Sequence, residues 1–121
     1  VVYSLLLHLV FVTKYRKNVF TEQMYKRLHF HFDRVCNDFG CKLVESNGEK
    51  DHVHLLVEPL PHTIPSRLVN SLKGVSSRFL RQEFPELEKY YWKGGLWSPS
   101  YFIASCGGAP PDIVKKYIEN Q

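Results

Sequence analysis

The chain has 121 residues, 44% of them hydrophobic and 14% aromatic, which fits one domain with a core and argues against disorder. Its 16 Lys and Arg residues outnumber 12 Asp and Glu, and the net charge of +4 is compatible with a polyanionic partner without establishing one. No apolar run approaches the roughly 20 residues of a membrane-spanning helix, so we expect no membrane partner. Cys36, Cys41 and Cys106 form no CxxC motif and no even-numbered disulfide set, which favours reduced thiols in a cytoplasmic protein.

The first predicted elements are a buried strand and an amphipathic helix. The run YSLLLHLVFV, residues 3–12, is short and apolar, which is typical of a central strand. After the basic loop TKYRKN, Thr21 can cap a helix, with Phe20 and Tyr25 at hydrophobic-staple spacing. Apolar side chains then recur at helical intervals until Gly40, where we expect the helix to end.

A hairpin and a second helix follow. We expect residues 41–46 and 49–59 to pair as strands, with the Asn-Gly pair at 47–48 as a two-residue turn, because that pair accepts positive φ. After a proline-bounded loop, Thr63 can cap the second helix and Pro65 can occupy its first turn.

The last third of the chain reads as a connection, a strand and a short helix. Residues 83–95 look like an exposed connection, and residues 96–106 like a strand interrupted early by Pro99. The pair Gly107–Gly108 then breaks the chain before a helix that runs to Gln121.

This order of elements predicts an α+β fold. It matches a ferredoxin-like βαββαβ antiparallel sheet with helices on one face, plus a C-terminal helix that carries Tyr117. We expect a single domain over residues 1–121, with the core over 1–106 and a hinge and terminal helix over 107–121.

Two histidines stand one residue apart in the segment DHVHLLVEPL. His52 and His54 would share one face of a strand with Cα atoms roughly 6.5 Å apart, so two ring nitrogens could converge on one ion. A third ligand must come from elsewhere. If the turn at 47–48 has two residues, Glu45 pairs with Lys50 on that face, where it could bind the ion or orient a histidine; a three-residue turn would point it away. The alternative is two exposed histidines on a polar strand face.

Tyr117 and Gln121 form a second pair, because residues four apart share one helix face. A phenol oxygen can attack phosphorus and form a phosphotyrosine, although a pKa near 10 means that it needs a metal or a base. The alternative for Tyr117 is core packing, since it belongs to an apolar stripe with Ile113, Val114 and Ile118.

Basic side chains on the second helix and in the first loop point modestly to nucleic acid. Small residues such as Gly74 let a backbone approach, and Arg forks match phosphate oxygens; a solvated helix face is the alternative. The basic residues expected to contact nucleic acid are Lys14, Arg16, Lys17, Arg67, Lys73, Arg78 and Arg81. Aromatic residues that could stack bases, most of them better explained as structural, are Tyr90, Tyr91, Trp92, Trp97 and Tyr101.

Four segments taken together resemble a known family. They are HLVFVTKYRKNVF, DHVHLLVEP, LKGVSSRFLRQEF and LWSPSYFIASCGGAPPDIVKKYIENQ. In this order they are similar to the single-tyrosine transposases of the insertion sequence 200/605 type, which are HUH (histidine-hydrophobic-histidine) endonucleases. The resemblance covers nearly the whole chain.

The resemblance implies a role for each candidate residue. His52 and His54 would bind Mg²⁺ or Mn²⁺, and Gln121 would complete the metal site. Tyr117 would be the nucleophile that cuts and rejoins single-stranded DNA by forming a 5′-phosphotyrosine. The DNA would be recognised through hairpins at the element ends. A homodimer would bring each tyrosine helix to the other subunit's histidines, with the break at Gly107–Gly108 as its hinge.

Three other interpretations remain open at this point. A domesticated relative could cut genomic repeats, and a non-catalytic nucleic-acid-binding domain could keep the same fold. A metal-dependent hydrolase of small phosphoesters would turn over without a covalent intermediate. The complete set of two histidines, tyrosine and glutamine favours the transposase over the binding domain.

Overall fold

The computed structural model describes residues 5–91, 95–105 and 111–121, without the side chains of residues 111–114. Four strands form one antiparallel sheet in the order β2-β3-β1-β4. The strands are β1 (Leu7–Val12), β2 (Lys42–Gly48), β3 (His52–Glu58) and β4 (Phe102–Ser105). The helices are α1 (Glu22–Asp38), α2 (Pro65–Glu83), α3 (Glu88–Tyr91) and α4 (Pro111–Glu119), with 3-10 turns at Lys14–Arg16 and Pro85–Leu87. This strand order confirms the predicted ferredoxin-like sheet.

The two faces of the sheet bury different partners because side chains alternate along each strand. On β1, Leu9 and Phe11 belong to the large core that includes α1 and α2. Val10 and Val12 point to the other face, where Tyr117 and Ile118 of α4 pack against them. The helix at the end of the chain therefore covers the face that α1 and α2 leave open.

The ends of α1 follow the predicted chemistry. The Thr21 hydroxyl accepts a hydrogen bond from the backbone N–H of Met24 at 3.2 Å, and the rings of Phe20 and Tyr25 meet with centroids 5.5 Å apart. Gly40 has a φ of 71°, a conformation that glycine adopts without a steric cost, and the helix ends just before it. The predicted cap, staple and stop are confirmed.

The start of α2 differs from the prediction at one residue. Pro65 occupies the first turn as expected, but Ile64 is the N-cap and makes no side-chain capping bond. Thr63 instead accepts a hydrogen bond from the backbone N–H of Leu60 at 2.9 Å, so the predicted Thr63 cap is wrong. The hydroxyl closes the preceding loop rather than the helix.

The predicted two-residue turn at 47–48 is also wrong. Asn47 and Gly48 are still in β2, opposite His54 and Val53, and the strands are joined by Glu49–Asp51. Gly48 does not take a positive φ. A Cβ there would lie 2.8 Å from Cα of Val53 and closer still to the carbonyl oxygen of His52, so close backbone approach explains this glycine.

The connection at 83–95, predicted to be exposed, contains two buried side chains. Leu87 and Tyr91 are buried, so the expectation that this segment is exposed throughout is wrong. The interruption near Pro99 is confirmed, because Trp97 makes an isolated bridge with Thr13 and β4 begins only at Phe102. The predicted hinge at Gly107–Gly108 lies outside the described residues. Within the described ranges, no helix is both long and apolar enough to cross a membrane.

Candidate active site

The two histidines of β3 lie side by side on the face that α4 covers. His52 and His54 have ring centroids 5.0 Å apart, and their cross-strand partners on β1 are Val12 and Val10. Directly opposed residues in an antiparallel sheet point to the same face. The prediction that the two imidazoles share one face is therefore confirmed.

Each histidine ring has a polar neighbour at its Nδ1 atom. Nδ1 of His52 lies 2.8 Å from Oδ1 of Asp51, and a carboxylate accepts, so this nitrogen carries the proton. Nδ1 of His54 lies 3.2 Å from Nε2 of His8, and the two rings stack with centroids 5.4 Å apart. If Nδ1 of His54 donates to His8, the Nε2 lone pairs of both β3 histidines are free for an ion.

Burial favours the neutral form of two of these rings, His54 and His8. Burial, then the neighbouring imidazoles of His52 and His8, lower the pKa of His54 to about 4. Burial also lowers the pKa of His8. A metal ligand must be deprotonated, so the His54 ring is in its ligand form at neutral pH. The placement of the pair fits a divalent ion, and so does the neutral form of the His54 ring.

Tyr117 lies on the same side of the sheet, held by β4 and the segment that precedes it. Its ring packs against Phe102, with centroids 5.7 Å apart, and against the buried Val10–Val12 pair. Its hydroxyl lies 3.0 Å from Oγ of Ser100. Burial raises the pKa of the phenol and the Ser100 hydrogen bond offsets part of that rise. The ring is packed, as the core alternative required, while the hydroxyl keeps a polar partner.

Gln121 is tied to the same serine. Its Oε1 accepts hydrogen bonds from Oγ of Ser100 at 2.7 Å and from Oγ of Ser98 at 3.1 Å. A serine has one hydroxyl proton, so Ser100, which donates to Gln121, must accept from Tyr117. The structure thus links Tyr117 to Gln121 through Ser100 and places His52 beside His54. The Gln121 oxygen accepts hydrogen bonds from serines and does not contact the imidazoles. In the described ranges, no group of three or more His, Cys, Asp or Glu side chains could hold a metal.

A cleft of about 860 Å³ opens beside the histidines. It lies between the β2–β3 connection, the turn after β1 and one edge of α4. Charged groups of both signs line it together with three imidazoles. The lining residues are His8, Arg16, Asn18, Glu49, Lys50, Asp51, His52, His54, Lys115, Ile118 and Glu119.

Glu45 is on the histidine face but not where the two-residue turn would place it. Its cross-strand partner is Leu56, not Lys50, so that predicted pairing is wrong. The register shifts between Leu43 and Glu45, and this irregularity turns Glu45 to the side of Leu56. Its carboxylate accepts a hydrogen bond from Nδ2 of Asn47 at 2.7 Å. The carboxylate that contacts a histidine of the pair is Asp51.

The basic residues of the first loop divide into different environments. Arg16 lines the cleft, where Nε lies 3.4 Å from Oδ2 of Asp51 and Nη1 donates to the backbone carbonyl of Glu119 at 3.3 Å. The ammonium groups of Lys14 and Lys17 lie 5.5 Å from the ring centroids of Tyr15 and Tyr90, respectively.

The basic residues of α2 lie on the far side of the sheet from the histidines. Arg67 and Arg78 are exposed, and Nε of Arg81 donates to Ser77. Lys73 reaches around the edge and donates to the carbonyls of Ser98 and Ser100 at 2.7 and 3.2 Å, and burial lowers its pKa. Any DNA held by α2 would therefore be separated from the cleft by the sheet.

Two of the five aromatic residues considered for base stacking are buried. Tyr91 and Trp97 are buried in the core, which agrees with the structural role expected for most of these aromatic residues. Trp92 lies outside the described residues. Tyr90 is 37% exposed beside Lys17.

Sequence reasoning missed four residues that contact the candidate site residues. Asp51 could have been found, because it directly precedes His52 and a carboxylate often orients a metal-binding imidazole. His8 shows no ligand spacing with other histidines, and only the β1–β3 register brings it to His54. Ser98 and Ser100 carry no local signal, since their partners lie about 20 residues along the chain.

Comparison with known proteins adds a family. The model of the IS200-like transposase family matches residues 1–121. The chain belongs to this family. It is therefore a transposase, an enzyme class that cuts DNA, and the resemblance drawn from the four sequence segments is confirmed.

Individual relatives agree with this assignment. The ISDra2 transposase TnpA of Deinococcus radiodurans is 32% identical over 120 residues, covering 99% of this chain and 86% of the relative. The transposase for insertion sequence element IS200 of Salmonella typhimurium is 28% identical over 114 residues, covering 94% and 74%. A crystal structure of a protein from Deinococcus radiodurans, assigned as a transposase, is 34% identical with a TM-score of 0.90, covering 100% of this chain and 93% of that one.

A more distant structure shares the fold. It is a REP-associated tyrosine transposase bound to a REP hairpin, with a TM-score of 0.60 and 13% identity over 96% of this chain and 62% of that one. At this identity the likeness shows that the four-stranded sheet and its helices recur in a tyrosine transposase.

Proposed function

We propose that this IS200-like transposase cuts and rejoins single-stranded DNA at the ends of an insertion sequence through a covalent 5′-phosphotyrosine on Tyr117. One observation supports this most directly. The ring of Tyr117 packs on Val10 and Val12, which are the cross-strand partners of His54 and His52. Neighbouring strands are about 4.8 Å apart, so Tyr117 of α4 lies over β1, the strand next to the one that carries the two imidazoles, on the same face of the sheet.

The chemistry assigns the bond changes to Tyr117. Its phenol loses a proton and its oxygen attacks the scissile phosphorus, forming a Tyr–O–P bond as the bond to the 3′ oxygen breaks. The departing 3′ oxygen takes up a proton and becomes a free hydroxyl. A 3′-hydroxyl from another strand then attacks the phosphotyrosine and reverses the step, so strands are exchanged without an external energy source.

His52 and His54 would hold Mg²⁺ or Mn²⁺, with Gln121 as a third ligand through its amide oxygen. Oxygen and imidazole donors suit these ions. When bound, the ion would supply a Lewis acid that withdraws charge from the scissile phosphate. For Gln121 to serve as a ligand, its amide oxygen must give up the hydrogen bonds from Ser98 and Ser100 and bind the ion instead.

We also propose a homodimer whose tyrosine helices act in trans, on DNA that carries hairpins at the element ends. In the single chain α4 docks on its own sheet, so the trans arrangement requires a partner's α4 to occupy this same surface. The hairpin carried by the distant REP-associated transposase supports the recognition of hairpins. A mixture of His54→Ala and Tyr117→Phe proteins tests the arrangement: each is inactive alone, and activity returns on mixing only if the helix serves the other subunit.

Strand cleavage is the direct test of the activity. Labelled DNA carrying an element end is incubated with the protein and Mg²⁺, Mn²⁺ or EDTA, as a single strand and as a duplex. We expect cleavage of the single strand with either metal and none with EDTA, loss of cleavage in His54→Ala, and full cleavage in His62→Ala, which changes an exposed histidine outside the site. Binding without cleavage would instead support a non-catalytic nucleic-acid-binding domain, and cleavage of genomic repeats but not element ends would support a domesticated relative.

A further inference from the structure

The turn after β1 holds two residues in an unusual backbone conformation. Tyr15 has φ 65° and ψ 13°, and Arg16 has φ 51°. Residues with side chains rarely adopt positive φ, and a bulky aromatic residue does so least readily. Two such residues in succession mark a strained turn, and strain of this kind persists where the surrounding structure fixes it.

The strained turn is firmly anchored. The backbone N–H of Thr13 donates to the carbonyl of Asp51 at 2.9 Å, and its hydroxyl donates to the carbonyl of Lys17 at 2.9 Å. The N–H of Lys14 donates to the carbonyl of Leu96 at 2.9 Å, and that of Arg16 to Thr13. Since Asp51 directly precedes the histidine strand, the turn is fixed relative to the candidate active site.

This conformation pushes an aromatic ring into solvent. Tyr15 is 70% exposed, the highest value among the large apolar side chains in the described part of the chain. The Lys14 ammonium lies 5.5 Å from its ring centroid, and the next residue, Arg16, lines the cleft beside the histidines. An exposed ring on an anchored turn, with the Lys14 ammonium beside it and the cleft-lining Arg16 as the next residue, combines the two features that bind single-stranded nucleic acid: stacking and phosphate attraction.

We propose that Tyr15 is a stacking platform for one unpaired base of the DNA strand that enters the cleft, with Lys14 and Arg16 flanking its phosphates. This inference rests on the proposed single-strand activity and adds a substrate-positioning residue to it. Stacking is indifferent to base identity, so the platform orients the strand without reading its sequence.

The variant Tyr15→Asn separates binding from folding. Asparagine adopts positive φ more readily than tyrosine, so the thermal midpoint should stay the same or rise. The matched control is Phe30→Ala, which removes an exposed ring from α1 on the other side of the sheet. The probes are fluorescein-labelled dT15 and an abasic 15-mer with the same number of phosphates, at one fixed salt concentration.

We expect Tyr15→Asn to weaken binding of dT15 by about 5-fold or more, the effect of losing one stacked base, while binding of the abasic strand stays unchanged. Phe30→Ala should bind both as the unmodified protein does. In addition, a 15-mer containing 5-iodouracil should photocrosslink to the peptide that carries Tyr15.

Three results would overturn the proposal. They are an unchanged affinity of Tyr15→Asn for dT15, an equal loss on the abasic strand, and crosslinks confined to other peptides. If the unmodified protein cleaves element ends but does not bind dT15, or binds it no more tightly than Tyr15→Asn does, only the platform is wrong, because stacking does not depend on base identity. If the unmodified protein does not cleave element ends, the proposed function itself is wrong.

Discussion

Nε2 of His8 lies 3.2 Å from Nδ1 of His54, so a histidine of the first strand supports the ring that we assign to the metal. His8→Phe keeps an aromatic ring against His54 but removes the acceptor that fixes its tautomer. We expect Mn²⁺ affinity, measured by the loss of the free-ion EPR signal, to fall about 10–100-fold.

The variant His8→Gln offers a matched control, because its amide oxygen can still accept from Nδ1 of His54. It should keep most of the affinity, and His62→Asn should keep all of it. Equal Mn²⁺ binding by His8→Phe and the unmodified protein would show that His8 only fills space.

The lowered pKa of His54 makes folding stability depend on pH. The unfolded ring has a pKa near 6.5 and the folded ring one of about 4, so between these values the unfolded state binds more protons. The stabilisation is complete above pH 6.5 and is lost as the pH falls toward 4. In EDTA, the free energy of unfolding should fall between pH 7 and pH 4 in both proteins. We expect the fall in His54→Asn to be smaller than that in the unmodified protein by about 1–3 kcal/mol.

Urea unfolding at the two pH values measures this difference. His62→Asn, which changes an exposed histidine, should show the same loss as the unmodified protein. If the free energy of unfolding falls as much in His54→Asn as in His62→Asn and the unmodified protein, His54 is not buried in its neutral form.

Sequence reasoning predicted the fold and the histidine pair because these depend on local patterns. Alternation places His52 and His54 on one face whatever the register, and the order of elements suffices for the topology. Sequence reasoning placed Glu45 opposite the wrong residue, because the pairing of β2 depends on a turn and a strand irregularity that no local pattern marks. Sequence reasoning also could not show that the Lys73 ammonium bonds the carbonyls of Ser98 and Ser100, because these residues come from a distant loop.

Two glycines should respond in opposite directions to alanine. Gly48→Ala would press a methyl group against the backbone of His52 and Val53, and we expect it to lower the free energy of unfolding by about 1–3 kcal/mol. A Cβ added at Gly74, inside α2, would meet nothing within 4 Å, so Gly74→Ala should raise it by about 0.5–1 kcal/mol. Urea denaturation of both variants checks this. A stable Gly48→Ala protein would mean that β2 does not approach the start of β3 so closely.

Lys73 and Arg78 of α2 should differ in their effect on DNA. The Lys73 ammonium already serves two carbonyls, so Lys73→Met should cost about 1–2 kcal/mol of stability and leave the salt dependence of DNA binding unchanged. Arg78 is exposed, and Arg78→Gln should reduce the slope of log K against log salt by about 0.7–1 if it contacts a phosphate. Fluorescence anisotropy over a salt series measures both. A reduced slope for Lys73→Met would instead support the DNA contact predicted from the sequence.

The central claim is that Tyr117 becomes covalently joined to DNA. The measurement is one denaturing gel of labelled single-stranded DNA carrying an element end, incubated with and without Mg²⁺ with the unmodified protein, Tyr117→Phe and Tyr90→Phe. Tyr90 is an exposed tyrosine remote in sequence from α4 and serves as the control. We predict a shifted band that needs Mg²⁺, persists in Tyr90→Phe and disappears in Tyr117→Phe. Cleavage without any shifted band, or a band that survives in Tyr117→Phe, would contradict the assignment of Tyr117 as the nucleophile.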